Sequence, residues 1–320
     1  MVENYGLPYT GSKSKIAHWV IDNLPHGRVL IDAFAGGCAI THRALLSQKW
    51  QTIIANDIYG KYPQLFADAV QGKYRDEQRW ISREDFERLK SQDAFVACCW
   101  SFANNLRHYM YSQGIEPYKR ALHYAIVFDD FSQMQELMPE VAQAVAEALL
   151  GQRNTHDRRV TAQKVIVKTL KRLTGDNYAH QIITNNPIYR TIRHTSRNTP
   201  RLQSLERLER LQSLQSLQSL ERLRVTSLSY DEIDIPDNAV IYCDPPYHAC
   251  NNSLYEGTAR FDHNAFYDWC VRVSKTNPIF ISEYSIEDDR FEIVAEKQKM
   301  TSMASVKSSI VTERLYTVKK

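Results

Sequence analysis

The eight residues Val240-Ile241-Tyr242-Cys243-Asp244-Pro245-Pro246-Tyr247 constrain the fold more than any other part of the chain. Their apolar, β-branched start predicts a buried parallel strand. The two prolines fix φ and remove two N–H donors, so the strand ends in a stiff, open turn. Asp244 and Tyr247 are then held at the carboxyl end of the strand, which is where open α/β sheets bind their ligands.

The polar groups of this turn suit an amino group on a planar ring. The Asp244 carboxylate and the Pro245 carbonyl are acceptors that can hold an exocyclic amino group, and Tyr247 can stack on the ring that carries it. A proline-rich turn after a core strand is the alternative interpretation of the same residues.

Two further strand patterns favour the ligand-binding interpretation. The first runs from Val29 to Asp32 and is followed by the Gly36-Gly37 loop and a helix start; glycine permits a tight turn and a close approach of ligand to backbone. The second begins at Thr52 and places Asp57 25 residues after Asp32. A carboxylate at that point commonly accepts hydrogen bonds from ribose hydroxyls. The sequence contains neither a G-x-G-x-x-G fingerprint nor a phosphate-binding G-x-x-x-x-G-K-[ST] loop.

Together these motifs resemble the Dam-like DNA adenine-N6 methyltransferases, which use S-adenosylmethionine. The opening Leu7-Pro8-Tyr9-Thr10-Gly11-Ser12-Lys13 is similar to the first cofactor segment of that family, and the Gly loop, a long insert and the Asp-Pro-Pro-Tyr tetrapeptide follow in the family's order. The resemblance covers roughly residues 5–60 and 225–320, and the insert more loosely.

The resemblance implies a fold and a domain organisation. It implies an α/β protein with a Rossmann-like S-adenosylmethionine methyltransferase sheet and an inserted, mostly helical DNA-recognition domain. Residues 1–60 and 225–320 would form the catalytic, cofactor-binding domain, and residues 61–200 the inserted DNA-recognition region. Residues 201–224 would form a spacer of leucine triplets between the two.

The resemblance also assigns roles to individual residues. The tetrapeptide Asp244-Pro245-Pro246-Tyr247 would be catalytic, and S-adenosylmethionine would be the cofactor. The residues assigned to that cofactor are Tyr9 and Lys13 near it, Asp32, Phe34 and Gly36 around its methionine part, Asp57 at its ribose and Ile58 against its adenine.

Three positions depart from the family pattern. Cys38 stands where the family has its second loop glycine, and Pro8 where its first segment has a lysine. Ser229 stands where an acidic residue is expected near the third cofactor strand, and Asp231 follows two positions later. The catalytic tetrapeptide is intact.

Positive charge is concentrated in residues 151–201, which hold eleven Lys or Arg residues against Asp157 and Asp176. This cluster predicts a phosphate-facing surface, with a solvated helix face as the alternative. Ser101-Phe102-Ala103-Asn104-Asn105-Leu106-Arg107 resembles the start of the family's recognition region. The residues expected to contact DNA are Asn105, Arg107, Arg158, Arg159, Lys171 and Arg172.

Leucine recurs every third residue from Leu202 to Leu223. In an α-helix, a step of three residues turns each leucine back by about 60°, so the leucines would spiral around the surface. A 3₁₀-helix would align them, although long 3₁₀ runs are uncommon. We therefore expect a largely helical, low-complexity spacer outside the core, with a short solenoid-like coil as the alternative.

Other patterns predict further secondary structure. Residues 133–150 and 161–173 have helical periodicity, and Asp262 is placed to cap a helix that runs to about Ser274. Residues 278–284 predict another buried strand. Residues 313–318 predict a strand that closes the sheet at its edge.

The composition limits the classes of protein to which this chain can belong. The chain has 320 residues, a net charge of +3, and no apolar run long enough to span a membrane. Its six cysteines lack zinc-ligand spacing, so we expect reduced thiols, no metal and a cytoplasmic location, in a bacterial or phage-encoded protein if the resemblance holds.

The expected function is site-specific adenine-N6 methylation, with duplex DNA as the partner and with a cognate restriction enzyme or none. The alternatives are a methylase of another amino nitrogen, such as cytosine N4 or an RNA base, and a methylase-like DNA-binding protein that has lost catalysis. Asp244 favours adenine over cytosine, and the basic insert favours duplex DNA over a protein substrate. The target sequence and the oligomeric state have no signal in the sequence.

Overall fold

The computed structural model describes residues 4–174, 201–217, 220–247, 261–301 and 309–320. Within these ranges the chain forms an α/β structure around one mixed, seven-stranded sheet. The strands are β1 Val29–Asp32, β2 Thr52–Asn56, β3 Leu223–Thr226, β4 Val240–Cys243, β5 Ile279–Glu283, β6 Phe291–Thr301 and β7 Ser309–Val318. The α-helices are α1 Ala17–Asn23, α2 Ala39–Ser47, α3 Lys61–Val70, α4 Arg83–Leu89, α5 Ala94–Trp100, α6 Glu116–Val127, α7 Ser132–Leu137, α8 Pro139–Leu149, α9 Thr155–Thr174, α10 Gln203–Ser213 and α11 His263–Val273.

The strand order in the sheet is β3-β2-β1-β4-β5-β7-β6. The first five strands in this order are parallel, and β7 is antiparallel to both β5 and β6. The order runs outward from β1 in one direction through β2 and β3, and in the other direction through β4 and β5. The sheet therefore has its topological switch point between β1 and β4, where this class of fold binds ligands.

The predicted strands at residues 29–32, 52–56 and 240–243 are confirmed, because their apolar runs are buried on both faces as in a parallel sheet. The helix after Asp262 is also confirmed: α11 ends at Val273, and the Asp262 side chain accepts a hydrogen bond from the Ala265 N–H at 3.0 Å. The interval 133–150 contains two helices, α7 and α8, since the chain is not helical at Met138.

The prediction that residues 313–318 form an edge strand is wrong. These residues lie in β7, which pairs with β5 on one side and with β6 on the other. The strand β6, which the sequence analysis does not predict, forms this edge of the sheet, and β3 forms the opposite edge. The exposed apolar residues of β6, Ile293 and Val294, stand among charged residues, so the sequence there has neither a clean alternation nor a buried apolar run.

The chain divides into two compact units. The first consists of Met1–Arg75 and Leu211–Lys320 and contains the whole sheet. The second, Asp76–Arg210, is helical wherever it has regular secondary structure in the described ranges. Among the described residues, no helix is long and apolar enough to cross a membrane.

The leucine triplets are helical as expected, but their leucines are not on an exposed spacer. Leu202, Leu205, Leu208, Leu211 and Leu214 are each at most 6% exposed. Each step of three residues rotates the leucine position by about −60° around the helix axis, so the leucines from position 202 to position 211 spread over about half of the helix circumference. Because all of them are buried, other parts of the protein must pack around a wide face of α10. After α10 the chain continues in 3₁₀ turns at Leu214–Leu217 and Leu220–Arg222, where a period of three is the natural one.

The polar residues between the leucines also have partners. The Arg159 guanidinium of α9 donates to both carboxylate oxygens of Glu209 at 2.7 and 2.8 Å, and to Glu206 at 3.2 Å. Arg201 donates to Glu206 as well. The leucines of the Leu-Glu-Arg triplets thus provide buried side chains, and their glutamates pair with Arg159 of α9. Both kinds of contact make the repeat part of the folded structure.

Leu205→Ala should lower the free energy of unfolding by about 2–5 kcal/mol, because it removes a buried side chain and leaves a cavity. The matched control is Leu150→Ala, since Leu150 is 86% exposed and its loss should cost less than about 0.5 kcal/mol. Chemical denaturation of both variants measures the difference. Equal stabilities would mean that the triplets are a spacer after all.

Candidate active site

The site forms where β1 and β4 lie side by side. Asp32 at the end of β1 is in register with Tyr242, two residues before Asp244. Just beyond β1, the Ala33 N–H donates to the Tyr242 carbonyl at 2.9 Å. The two acidic strand ends predicted from the sequence are therefore neighbours at the carboxyl edge of the sheet.

Lys13 joins the N-terminal segment to the tetrapeptide. Its Nζ lies 2.7 Å from Asp244 Oδ1 and 4.5 Å from the centroid of the Tyr247 ring. The two side chains of the ion pair are only 10% and 18% exposed. Because partial burial removes water from both charges, the attraction between them is less screened than in a surface ion pair, and breaking the pair would leave a poorly solvated charge.

Tyr247 is held from three directions. Its hydroxyl donates to Glu313 Oε1, its ring packs perpendicular to Tyr284 with centroids 4.7 Å apart, and Lys13 covers one face. Burial raises the pKa of the Tyr247 phenol well above its ordinary value, and the Asp244 and Glu313 carboxylates add to the rise. The hydroxyl therefore stays protonated and remains a donor.

Residues 9–148 match the family of D12 class N6 adenine-specific DNA methyltransferases. Over these residues, which are fewer than half of the chain, the finding agrees with the resemblance stated above and supports the adenine-N6 methylation that it implies. The match ends before β4, so the tetrapeptide lies outside the matched residues. No curated protein gives a significant match to the chain.

The N-terminal segment of the chain packs on the Gly36-Gly37 loop. A Cβ on Gly37 would lie 2.5 Å from Cβ of Tyr9, and a Cβ on Gly36 would lie 3.2 Å from the Tyr9 ring. Gly36 has φ +47°, which also favours glycine. The sequence predicts a loop that lets a ligand approach the backbone. In this structure the same absence of Cβ atoms is what lets Tyr9 approach.

Cys38, the departure from the family's second loop glycine, has φ +59° and is completely buried. Cys38 is the N-cap of α2 and adopts the left-handed conformation there. The family glycine would adopt this conformation without the steric cost of a Cβ, which is about 1–2 kcal/mol. The loop thus keeps the conformation that a glycine would give it.

Asp32 is 1% exposed and faces the N-terminus of α2. Its Oδ2 accepts hydrogen bonds from the Thr41 N–H at 3.1 Å and from the Thr41 hydroxyl at 2.7 Å. Its Oδ1 is buried with no hydrogen-bond partner among the described residues. Burial raises the pKa of Asp32 to about 7; the Thr41 hydrogen bonds oppose this rise, and the Asp244 and Asp57 carboxylates increase it.

Asp57 and Ile58 follow β2 at the same edge of the sheet. The Asp57 carboxylate accepts hydrogen bonds from the N–H groups of Gly36 and Tyr59, each at 2.8 Å. Burial raises its pKa. The next side chain, Ile58, is 66% exposed, which is unusual for isoleucine and leaves an apolar surface beside the carboxylate.

Phe34 and Ser229 lie further along this edge. The Phe34 ring stacks on Tyr230 at 5.7 Å and packs against Phe266. Ser229 begins a short 3₁₀ turn with a capping box, and its hydroxyl donates to the Asp231 carboxylate. Asp231, which lies two positions after the place where the family has its acidic residue, is therefore hydrogen-bonded to Ser229, which occupies that place.

Asn105 and Arg107 lie on an irregular loop after α5. The Asn105 Oδ1 accepts hydrogen bonds from the N–H groups of Arg107 and His108, each at 3.0 Å. Ala103, Asn104 and Leu106 all have positive φ, and Phe102 is 59% exposed. Such a concentration of left-handed residues other than glycine is uncommon and is more frequent at functional loops.

Arg158 and Arg159 do not present the phosphate-facing surface that their sequence suggested, because each is only 7% exposed. The Arg158 guanidinium donates to the carbonyls of Ala125 and Ile126 at the end of α6, and to that of Leu149 at the end of α8. It also forms an ion pair with Asp129 at 2.6 Å. It therefore caps two helix C-termini.

The exposed positive charge of α9 lies elsewhere on the helix. Lys164, Lys168 and Arg172 are exposed and are spaced by four residues, so they share one face. Of the other residues predicted to contact DNA, Lys171 lies on α9 near its end. Residues 175–200, including Arg190, Arg193 and Arg197, lie outside the described residues.

Reasoning from the sequence missed Glu313, which is completely buried and touches Tyr247. The signal in the sequence was Glu313 itself, a charged residue in a segment that was predicted to be a strand of the sheet. A charged residue at a buried strand position requires a partner, and that partner is 66 residues away in the sequence.

The raised pKa of Asp32 makes a prediction about stability. An acid with a higher pKa in the folded state stabilises the fold fully below its unfolded pKa, near 3.8, and this stabilisation is lost as the pH rises through about 7. The loss amounts to about 4 kcal/mol at most. Asp32→Asn should remove most of this decline between about pH 4 and 7.

Thermal unfolding of the ligand-free protein across this pH range tests the effect. The control is Asp237→Asn, because Asp237 is exposed and its loss should leave the wild-type profile unchanged. Parallel profiles for wild type and Asp32→Asn would show that Asp32 is not the titrating group.

Proposed function

We propose that this protein transfers the methyl group of S-adenosylmethionine to N6 of an adenine that is extruded from duplex DNA, in a site formed by Asp244 and Tyr247. The observation that carries the proposal is the arrangement of the Asp244 carboxylate beside the Tyr247 ring, both in contact with Lys13 at the switch point of the sheet. An amino-group acceptor and a stacking surface are thus held together by one cation.

The Asp244 carboxylate would act on the reactive nitrogen. The N6 lone pair of adenine is delocalised into the ring, which makes the amino group a poor nucleophile. Asp244 and the Pro245 carbonyl can accept its two N–H groups, which favours localisation of the lone pair towards the methyl donor. A carboxylate also stabilises the positive charge that develops on nitrogen, which is commonly the largest catalytic contribution. Proton loss can follow transfer, so Asp244 need not be a strong base.

The target adenine must leave the duplex to reach this site, because its amino group is inaccessible within the stack. Tyr247 is suited to hold the extruded base, since its orientation is fixed by Glu313 and Tyr284. A base held by stacking and by two acceptors is brought close to its reaction geometry, which lowers the entropic part of the barrier.

Several features of the sheet edge fit the cofactor. Asp57 offers a carboxylate for ribose hydroxyls, and Ile58 offers an exposed apolar side chain for an adenine ring. The buried Oδ1 of Asp32, without a partner among the described residues, can accept a hydrogen bond from an ammonium group. Tyr9, Phe34 and Gly36 are proposed to contact the cofactor as well, because the first packs on the Gly loop that contains Gly36 and Phe34 follows β1 at the same sheet edge. S-adenosylmethionine, when bound, supplies an electrophilic methyl group.

DNA contacts are proposed for the unit Asp76–Arg210. The loop with Asn105 and Arg107 carries polar groups and an exposed aromatic ring, which suits contact with bases and backbone. On α9, the face formed by Lys164, Lys168 and Arg172 is better suited to phosphates than Arg158 and Arg159, whose guanidinium groups bind protein atoms.

Asp244→Ala should reduce the single-turnover rate of methyl transfer by roughly 100-fold or more, because the acceptor and its charge are both lost. Binding of S-adenosylmethionine, measured by calorimetry, should stay within a few-fold. The companion variant Asp244→Asn keeps an acceptor oxygen and should retain more activity than Asp244→Ala. A rate for Asp244→Ala above about a tenth of wild type would contradict the proposed role.

Replacing Lys164, Lys168 and Arg172 together by glutamine should weaken binding to all DNA sequences alike. The slope of log affinity against log salt should fall by up to about three, nearly one for each lost phosphate contact. The matched control replaces Arg28, Lys275 and Lys319, which are exposed on the other unit and remove the same charge. Equal slopes for the two triple variants would show that the α9 face is only solvated.

A further inference from the structure

Glu313 lies at the candidate active site although no motif in the sequence points to it. Its side chain is 0% exposed. Its Oε1 accepts the hydrogen bond from the Tyr247 hydroxyl and lies 3.8 Å from Lys13 Nζ. We propose that Glu313 is a positioning residue for methyl transfer, acting through Tyr247 and Lys13. This inference rests on the proposed roles of Asp244 and Tyr247.

The strand geometry directs Glu313 into the site. Glu313 and Leu315 alternate with Arg314 along β7, and both are completely buried. Arg314 instead reaches Glu296 on the neighbouring β6, at 2.6 Å. Since β7 pairs with β5 and β6, the backbone of Glu313 is held within the sheet rather than on a loop. A carboxylate buried at such a position is costly unless specific groups bind it.

The hydrogen bond fixes the orientation of the stacking ring. A tyrosine side chain has two rotatable bonds before its ring, so contacts at Cβ alone leave the plane of the ring free to turn. The hydrogen bond from the Tyr247 hydroxyl to Glu313 and the perpendicular packing of the ring against Tyr284 remove that freedom. An extruded base then meets a surface that is already oriented, and the cost of ordering the ring is not added to the barrier.

The charge of Glu313 also acts on Lys13. The ammonium group lies 2.7 Å from Asp244 and 3.8 Å from Glu313. Lys13 is thus paired closely with Asp244, and Glu313 places a second carboxylate within ion-pair distance of the same ammonium group. These two carboxylates and one ammonium sum to one negative charge, which favours a developing positive charge on N6.

The experiment compares Glu313→Gln, Tyr247→Phe and the double variant, using unmethylated plasmid DNA and S-adenosylmethionine at saturation. Glu313→Gln should lower the single-turnover rate roughly 10- to 100-fold, the effect of a misplaced reacting group. The affinity for S-adenosylmethionine and the KM for DNA should stay within about threefold of wild type. The control Glu296→Gln removes a carboxylate from the adjacent strand, where it pairs with Arg314, and should keep the wild-type rate.

The double variant separates positioning from a general loss of structure. If Glu313 acts through Tyr247, then Glu313→Gln should have a smaller effect in the Tyr247→Phe background, where the hydroxyl is absent. Unfolding midpoints should be non-additive in the same way, and this measurement does not depend on activity. If Glu313→Gln folds poorly, Glu313→Asp replaces it, because aspartate keeps the charge but is too short to reach Tyr247 in the same way. The same reduced rate and the same non-additivity with Tyr247→Phe are expected for this variant.

A wild-type rate for Glu313→Gln, or effects that multiply fully in the double variant, would overturn the inference. Additive unfolding midpoints would also overturn it, because the contact would then carry no coupling. Loss of transfer in Asp244→Ala with full transfer in Glu313→Gln would refute the role of Glu313 alone. Full transfer in both Asp244→Ala and Tyr247→Phe would refute the proposed site, and the role of Glu313 with it.

Discussion

The ion pair between Lys13 and Asp244 is the contact on which the geometry of the site depends. It joins a segment near the N-terminus to a strand end more than 200 residues later in the sequence, and it does so where both side chains are largely shielded from water. A carboxylate in such surroundings requires a cation or several donors to stay ionised. The same ammonium group covers Tyr247 and lies near Glu313, so one charge organises the acceptor, the ring and the residue that holds the ring.

The second unit uses ionic contacts differently. Arg158 binds the carbonyls that end α6 and α8, and Arg159 binds two glutamates of α10. These contacts hold helices together and leave less positive charge for a ligand. Among the described residues of α9, Lys164, Lys168 and Arg172 remain exposed. A count of charges treats all these basic residues alike, whereas burial and hydrogen bonding separate the exposed ones from Arg158 and Arg159.

The strand ends that form the candidate site were predictable because the sequence signals for them are local. A buried strand that ends in Asp244, Pro245 and Pro246 specifies its own turn, and the Gly loop specifies the helix start after β1. What could not be predicted depends on distant partners. Glu313 is part of the candidate site because it accepts a hydrogen bond from Tyr247. Arg158 is buried because its guanidinium group binds carbonyls at the ends of two other helices. The strand β6 was missed because an edge strand need not alternate polar and apolar residues clearly.

The packing of the leucine triplets bears on how this sequence can change. A repeated unit of three residues invites gain or loss of single copies, which in an exposed linker would alter only its length. Here one copy more or less would keep leucine at every third position, but it would shift the chain that follows by about 4.5 Å and rotate it by about 60°. The next element is β3, whose residues are held in register with β2, so the fold constrains the copy number of this low-complexity stretch.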